Sequence, residues 1–390
     1  MTQKKKIVWL CGLPDQIRTS SFADLGLPAG HAWSWVTAHL PPPPEIELHL
    51  VCPDRRVREN TTRTWGGAQI HVIKVPRGGS YLMYRGWIPA LKAKIRELDP
   101  DVVHSWGTEC GFAVAALSAA PRNHVIGIQG ILAVTWPFME KRPELLLSVL
   151  NERSALRRAR YCVAESEYSR GIASRYTSAR VDIVPHPLRK EFLDTEAGPR
   201  NEKLVLYLGV LARRKGFFDA VTAFLSRDSD WKLVCIGTAG SLKEQAEVES
   251  FLEANQAANR VLVTGSQNPG QIIEWFKKSP LFLLPSYTDT GPTALKEALS
   301  MGLWPVCYDN TGPKELIERY GVGTLVPTGD IQGLGRVLHD HLAAAPWKGN
   351  ESLRNAACAI RADLSPLPVW KGLIKTYLDS TDIEIAPKRR

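Results

Sequence analysis

The stretch LVLYLGVLARRKGFFDAVTAFL, residues 204–225, decides the fold class. An apolar run ends at Gly209, three cationic residues follow, and a second glycine opens a helix-like segment. Glycine allows a tight turn between a strand and a helix because it has no Cβ. We therefore interpret the stretch as a strand, a loop and a helix, with Arg213, Arg214 and Lys215 at the start of the helix.

The same alternation recurs along the chain. Apolar runs such as KIVWL, IELHLVC and HVIGI in the first half, and KLVCIG, VLVTG and LFLLPS in the second, each precede a turn signal and often a helical pattern. Continuous apolar strands that alternate with helices are typical of parallel sheets covered on both faces. The sequence predicts an α/β fold of two Rossmann-like, doubly wound domains facing a cleft.

The length of 390 residues favours two domains of nearly equal size. The segment EAGPRNEK, residues 196–203, is polar and rich in breakers, so we predict the linker there. This gives an N-terminal domain over residues 1–195 and a C-terminal domain over residues 204–365.

The composition is that of a soluble globular protein, with 44% hydrophobic and 23% charged residues. No apolar run approaches the ~20 residues that span a bilayer. The apolar stretch after the basic start is about six residues, shorter than the ~7–15 of a signal peptide. Seven cysteines without a CxxC pair indicate reduced core thiols, so we expect a cytoplasmic protein.

The net charge of +9 arises mainly in the first half, most densely in KRPELLLSVLNERSALRRAR, residues 141–160. Arg153 and Arg157 fall four residues apart, with Leu146 and Leu150 available to an apolar side. Such a helix would suit peripheral contact with the inner face of a membrane; a solvated helix face is the alternative. No recognised motif or aromatic-rich basic stripe indicates nucleic acid.

The cations after the first quoted strand and two later carboxylates are candidates for a shared site. A helix start offers free N–H groups and a partial positive charge, and neighbouring cations can complete a diphosphate site. In PSYTDTGPTALKEALSMG, Asp289 and Glu297 stand eight residues apart. They could accept hydrogen bonds from the hydroxyls of a sugar and a ribose. Alternatively, Asp289 is a turn residue, Glu297 a solvated helix position and the cations a solvated helix start.

Nucleotide-binding fingerprints of other classes are missing. GxGxxG follows none of the predicted strands, and the chain contains no GxxxxGK[ST] motif. The missing GxGxxG argues against hydride transfer with a dinucleotide bound at that motif. The missing GxxxxGK[ST] argues against ATP hydrolysis at a P-loop.

The series LYLGVLARRKG, VTG, LPSYTDTGPTALKEALSMGLWPV and GVGTLVPTGD resembles the C-terminal half of GT-B glycosyltransferases of the large retaining family 4, over about residues 204–335. DVVHSWGTE, IGIQG and ARYCVAESEYSRGIASRY extend the resemblance into the first half. It implies a retaining, metal-independent hexosyltransferase without a cofactor. Its donor would be a UDP- or GDP-linked sugar, and its acceptor a glycan, a lipid-linked glycan or a small molecule. Residues 366–390 would form a helix that packs back towards the N-terminal domain, and a basic tail.

The resemblance assigns roles on the donor side. Lys215, and one of Arg213 or Arg214, would neutralise the departing diphosphate. Glu297 matches the second glutamate of the family's E-x7-E motif and would hold the ribose, while Asp289 replaces the first glutamate, which faces the transferred sugar. The remaining donor-side candidates lie in the strand-ending loops: Gly209, Gly265, Ser266, Gly291, Pro292 and Thr293.

In the first half of the chain the resemblance implies one further donor-side residue and two acceptor-side candidates. Gly30, in the glycine-rich turn after the first strand, would lie nearest the donor phosphates, unless it is a plain turn. Gln129 stands where many relatives carry a histidine, and Glu109 is a candidate acceptor-site carboxylate or a strand-end cap. We interpret His104 as a core histidine and assign no role to His186.

Other interpretations stay open on the sequence alone. A phosphorylase or a sugar-nucleotide epimerase would use the same fold, and a noncatalytic two-lobed protein would bind a sugar or nucleotide. Asp228 and Asp230 form a DxD pattern, which holds a metal in GT-A glycosyltransferases. They precede a strand away from the predicted ligand loops, so we interpret them as a turn and predict no metal.

Overall fold

The computed structural model describes residues 4–27, 34–77, 84–108, 111–120, 122–136, 143–198, 200 and 202–381. The strands are β1 (Lys5–Leu10), β2 (Ile46–Asp54), β3 (Thr61–Trp65), β4 (Ala68–Lys74), β5 (Val102–Trp106), β6 (His124–Ile128), β7 (Tyr161–Ala164), β8 (Arg180–Ile183), β9 (Leu204–Leu208), β10 (Lys232–Ile236), β11 (Val261–Gly265), β12 (Leu281–Leu284), β13 (Trp304–Tyr308) and β14 (Thr324–Val326).

The helices are α1 (Asp15–Ser21), α2 (Ser34–Ala38), α3 (Ile88–Leu98), α4 (Phe112–Ala119), α5 (Leu132–Thr135), α6 (Pro143–Arg158), α7 (Glu167–Ala173), α8 (Lys190–Leu193), α9 (Phe217–Leu225), α10 (Leu242–Ala254), α11 (Pro269–Lys278), α12 (Thr293–Ser300), α13 (Thr311–Tyr320), α14 (Ile331–Ala344), α15 (Glu351–Asp363) and α16 (Pro366–Thr381). Within the described ranges, no helix is both long enough and apolar enough to cross a lipid bilayer.

The chain forms two compact units. The first comprises the residues up to Arg189 and those from Pro366 onwards, and the second runs from Lys190 to Ser365. Each unit is built on one sheet, with helices between consecutive strands except from β2 through β3 to β4. The predicted α/β class with two Rossmann-like sheets is confirmed.

The sheet of the first unit has the strand order β3-β4-β2-β1-β5-β6-β7-β8, in which β3 alone runs antiparallel to its neighbour. Helix α16 belongs to this unit. The indole of Trp9 on β1 stacks on Trp370 at 5.5 Å between ring centroids, and its N–H donates to the Tyr377 hydroxyl at 3.0 Å. The terminal helix thus covers the central strand.

The sheet of the second unit is entirely parallel, in the order β11-β10-β9-β12-β13-β14. The chain first proceeds from β9 to one side and then returns to the other side of β9 with β12. Open α/β sheets bind ligands beyond the carboxyl ends of the strands at such a reversal. The topology therefore predicts a ligand site at the loops after β9 and β12.

The division between the units falls six residues earlier than the linker predicted at 196–203. Phe192 is buried and its ring lies 5.8 Å from that of Phe276, and the backbone N–H of Arg200 donates to the Lys277 carbonyl at 3.0 Å. These contacts hold the polar segment on the second unit, and its composition alone does not reveal them.

Buried imidazoles are a feature of the first unit. His104 on β5 lies 4.0 Å from Trp106 between ring centroids, and one ring nitrogen is 2.7 Å from the Tyr377 hydroxyl. Burial, reinforced by His186, lowers the pKa of His104 to about 3. Burial likewise holds the pKa of His39 well below its ordinary value, so these imidazoles are neutral at pH 7.

We predict that the protein loses stability as the pH falls below about 6.5, the pKa of an unfolded histidine. A folded pKa near 3 means that the unfolded chain takes up the proton first. The stability contribution of His104 is therefore complete above pH 6.5 and falls by about 2 kcal/mol by pH 5. Urea titrations at several pH values measure this. His104→Phe should give a shallower pH dependence, whatever its stability at pH 7; an unchanged slope would contradict the assignment.

Candidate functional site

Two loops at the carboxyl ends of β9 and β12 bring the predicted cations and the first predicted carboxylate together. The Lys215 ammonium forms an ion pair with the Asp289 carboxylate, and the two side chains are only 19% and 11% exposed. The residues are 74 positions apart in the sequence. The pair lies at the carboxyl ends of two neighbouring strands, where open α/β sheets bind ligands.

The two arginines of the cation segment point in different directions. The Arg214 guanidinium donates to the Thr288 carbonyl at 3.4 Å, so it lies beside Asp289. Arg213 pairs with Glu247, and its guanidinium lies 4.8 Å from the Phe218 ring centroid; its side chain is 75% exposed. Between the two candidates for the diphosphate, the geometry favours Arg214.

Gly216 sets the distance between the two loops. Arg213–Lys215 forms a 3-10 turn that ends at Gly216 with φ of 69°, in the left-handed region. A Cβ on this residue would lie 1.8 Å from the Pro285 carbonyl oxygen. Only glycine fits, because both the backbone angle and the contact exclude a side chain.

Asp219, in the first turn of α9, links this helix to the loop after β12 and to the end of β13. Its carboxylate accepts the hydroxyls of Tyr287 at 2.8 Å and Tyr308 at 2.7 Å. Burial and the hydrogen bond to Asp219 raise the pKa of Tyr287 to about 12, so the hydroxyl stays protonated and donates. The Tyr287 backbone N–H also donates to the Arg214 carbonyl at 2.9 Å. Sequence reasoning missed this group, because no motif joins the three residues.

Glu297 lies within α12 and is 2% exposed, so it is not a solvated helix position. Pro292 precedes the helix, whose first residue is Thr293, and no side chain caps its N-terminus. The next loop supports this segment: the Gly312 N–H donates to the Asp289 carbonyl at 3.0 Å. Gly291 completes the loop between Asp289 and the helix.

Three glycines lie side by side at the ends of β9, β10 and β11. The Gly237 N–H donates to the Gly265 carbonyl at 3.0 Å, and a Cβ on Gly237 would lie 2.0 Å from the Gly209 oxygen. Ser266 follows them and is exposed. Sequence reasoning selected Gly209 and Gly265 but missed Gly237, although the glycine that ends KLVCIG was a visible signal.

The first unit holds carboxylates at the carboxyl edge of its own sheet. The fully buried Glu152 accepts the Thr108 hydroxyl at 2.6 Å and the Leu132 N–H at 3.1 Å, so it fixes the loops after β5 and β6. Glu165 holds a His186 ring nitrogen at 2.8 Å, with both side chains under 9% exposed. Sequence reasoning missed both carboxylates, although Glu165 stands in the quoted segment ARYCVAESEYSRGIASRY and Glu152 in the basic segment at residues 141–160.

Of the candidates in the first half, the donor-side Gly30 and the acceptor-side Gln129 and Glu109, the structure describes Gln129. Gln129 directly follows β6, close in sequence to the loop that Glu152 fixes. Gly30 and Glu109 lie outside the described residues.

The DxD pattern lies away from these loops. Asp230 pairs with Lys203, and Asp228 lies 3.6 Å from Arg260; both carboxylates are exposed. In the described part of the chain, no group of three or more His, Cys, Asp or Glu side chains is placed to hold a metal ion.

Two family models match adjacent parts of the chain. One, described as glycosyl transferases group 1, matches residues 189–357, and the other, glycosyltransferase family 4, matches residues 42–191. Together they span most of both units.

Two curated proteins are similar in sequence. TuaC of Bacillus subtilis (strain 168), named for teichuronic acid biosynthesis, is 24% identical over 65% of this chain and 64% of its own length. AmsK of Erwinia amylovora, an amylovoran biosynthesis glycosyltransferase, is 27% identical over 43% of this chain and 42% of its own length. The chain thus spans less than two thirds of either relative.

Solved structures share the fold over nearly the whole chain. Sucrose-phosphate synthase from Thermosynechococcus elongatus superposes with a TM-score of 0.76 at 14% identity, over 96% of this chain and 99% of that one. HepE of Anabaena in complex with UDP-glucose gives a TM-score of 0.71 at 16% identity, with the same coverage of both chains.

We predict that Gly216→Ala lowers the free energy of unfolding by about 3–5 kcal/mol, because a methyl group forces the two loops apart. Gly321→Ala is the matched control, since Gly321 has φ of 65° but nothing within 4 Å of a built Cβ. The control should lose only the ~1–2 kcal/mol of a left-handed alanine. Urea denaturation of both variants measures the difference; equal losses would contradict the contact with Pro285.

Proposed function

This chain belongs to the glycosyl transferases group 1 family, with the GT-B fold, and on that premise we propose that it moves a sugar from a nucleoside diphosphate to an acceptor hydroxyl. The Lys215–Asp289 ion pair beside Arg214 is the observation that carries the proposal. It places preorganised cations and a carboxylate at the topological reversal of the second sheet.

We propose a UDP- or GDP-linked sugar as the donor. HepE, a structural neighbour, was solved with UDP and with UDP-glucose, which supports a uridine nucleotide. The diphosphate would take the place of Asp289 on Lys215, with Arg214 as the second cation. Freed from Lys215, the Asp289 carboxylate would accept hydroxyls of the transferred sugar, and Glu297 would accept those of the ribose.

The proposed reaction retains the anomeric configuration by displacement on one face of the sugar. The bond between the anomeric carbon and the diphosphate oxygen breaks, while the acceptor oxygen bonds to the same carbon on the same face. The acceptor proton passes to the departing diphosphate oxygen, so no protein nucleophile is needed. Lys215 and Arg214 stabilise the charge that develops on that oxygen. They supply the cationic role that a metal has in other enzymes, and we propose no metal or organic cofactor.

We propose polysaccharide biosynthesis as the setting, with a glycan or a lipid-linked glycan as the acceptor. TuaC and AmsK carry names from teichuronic acid and amylovoran biosynthesis. Their similarity to this chain supports a polymeric product over a small one.

We predict that Lys215→Ala lowers transfer by ~100-fold or more, because one donor to a developing oxyanion contributes that much. A saturating nucleoside diphosphate should stabilise the wild type by ~2.7 kcal/mol at 100 times its dissociation constant. Thermal unfolding with UDP, GDP and ADP, followed by a transfer assay with the protecting nucleotide's sugars, measures both.

Lys203→Ala is the matched control, since Lys203 also pairs with an aspartate of the second unit but is exposed. It should keep both the nucleotide protection and the transfer rate. If no nucleotide protects the wild type, or if Lys215→Ala transfers as fast as Lys203→Ala, the proposed donor site is wrong.

We further propose that α6 contacts an anionic membrane surface. Leu146 and Leu150, one turn apart, are 50% and 48% exposed, and Arg153 and Arg157 are exposed farther along the helix. Apolar and basic side chains that share the outer side of a helix fit the boundary between acyl chains and anionic headgroups. This contact would bring the first unit to a lipid-linked acceptor.

We predict that Leu146→Gln/Leu150→Gln weakens binding to phosphatidylglycerol vesicles by about 30-fold, since two half-exposed leucines contribute about 2 kcal/mol on burial. The control Leu242→Gln/Leu367→Gln changes leucines that are 91% and 60% exposed elsewhere. Co-sedimentation measures both variants. Equal binding of the two would contradict a role for α6.

A further inference from the structure

Five cationic side chains extend from the carboxyl ends of β2 and β4, which are neighbouring parallel strands. The last paired residues of these strands are Asp54 and Lys74, and the Val75 N–H still donates to the Asp54 carbonyl at 3.3 Å. The chain that follows each strand is rich in arginine. The five exposed residues, called here the arginine edge, are Arg55, Arg58, Lys74, Arg77 and Arg85.

Arg85 joins this group through the fold, because it stands well after β4 in the sequence. The indole N–H of Trp87 donates to the Pro76 carbonyl at 3.1 Å. A Cβ on Gly86 would lie 3.5 Å from the Pro76 ring. These contacts return the chain to the end of β4, beside Arg77.

Among the described residues, no carboxylate pairs with a side chain of the arginine edge. In the part of the chain that the structure describes, its five side chains make no hydrogen bond, ion pair or ring contact. Arg56, in the same segment, is held by Asp54 through contacts of 2.9 and 2.6 Å. Glu59 is the other carboxylate of this segment, and it is exposed. A local excess of unpaired guanidinium groups attracts anions.

The opposite part of the same sheet edge carries buried carboxylates. Glu152 lies beneath the ends of β5 and β6, and Glu165 holds His186 beyond β7 and β8. The described part of this carboxyl edge therefore carries the cations of the arginine edge beside β2 and β4, and the buried carboxylates of Glu152 and Glu165 beside β5 to β8.

We propose that the acceptor carries a phosphate or diphosphate group, and that the arginine edge binds it. The inference rests on the proposed transferase function, which assigns the acceptor to the first unit. Guanidinium groups bind phosphate oxygens through two parallel hydrogen bonds. Several cations match the several charges of a diphosphate better than the single charge of a carboxylate.

The strand order also sets the length of this acceptor. Gln129, at the end of β6, lies three strands from β2 and four from β4. At a spacing of about 4.8 Å, this separates the arginine edge from β6 by about 15–20 Å. A single sugar ring does not bridge that distance, so an acceptor that reacts beside Gln129 contains more than one sugar between its phosphate and the reacting hydroxyl.

The test is calorimetric titration of inorganic pyrophosphate into the full chain, already saturated with UDP so that the donor site is filled. We expect saturable binding that weakens with rising salt. Arg55→Gln/Arg58→Gln should raise the dissociation constant at least tenfold. The matched control is Arg122→Gln/Arg175→Gln, which removes two exposed arginines near the amino ends of β6 and β8. The control should stay within twofold of the wild type.

Three outcomes would overturn the inference: no saturable binding of pyrophosphate, equal weakening in both double variants, or binding of digalacturonate in place of pyrophosphate. The last would assign a carboxylate acceptor. Unchanged protection by UDP in the double variants shows that they are folded.

Repeating the titration in Lys215→Ala separates this inference from the proposed donor site. Pyrophosphate binding that is lost in Lys215→Ala but kept in Arg55→Gln/Arg58→Gln belongs to the donor site and overturns the arginine edge alone. If UDP fails to bind the wild type, the proposed function fails. The arginine edge is then still judged by pyrophosphate and its two double variants.

Discussion

The contact of Gly216 with the Pro285 carbonyl is the constraint on which the candidate donor site depends. It brings the cation segment after β9 against the loop after β12, so that Lys215 reaches Asp289. Asp219 strengthens the same junction, because its carboxylate binds tyrosine hydroxyls from the loop after β12 and from the end of β13. These contacts hold the two loops against each other before any ligand binds.

Preorganisation of this kind has a direct chemical use. A cation that already stands at the strand ends, screened from water, stabilises a departing diphosphate without first having to reorient. The ion pair with Asp289 keeps Lys215 in place and leaves neither charge buried alone, which would be strongly unfavourable. A diphosphate would exchange one anionic partner of Lys215 for another and release the carboxylate for sugar hydroxyls.

The first unit places its charges differently. The carboxylates of Glu152 and Glu165 are buried and hold backbone and side-chain groups of neighbouring loops, whereas the cations of the arginine edge stay exposed and unpaired in the described residues. The buried carboxylates therefore fix the positions of loops at one part of the sheet edge. The exposed cations at the other part attract anions. This distribution fits a unit that binds an anionic acceptor and positions its reacting hydroxyl.

The sequence by itself determined the two α/β sheets, because buried parallel strands must be continuously apolar and must alternate with helices. It also selected Lys215, Asp289 and Glu297, because these residues stand in short linear motifs that resemble those of the family. Only the tertiary structure decided that Arg214 and not Arg213 lies beside Asp289. It likewise decided that Glu297 is buried and that Phe192 and Arg200 contact α11 of the second unit. It also revealed the Asp219 hydroxyl pair, Glu152 and the arginine edge. Each of these features brings together residues from separate strands and loops. Contacts between residues far apart in the sequence produce neither a hydrophobic periodicity nor a short motif, so sequence patterns do not predict them.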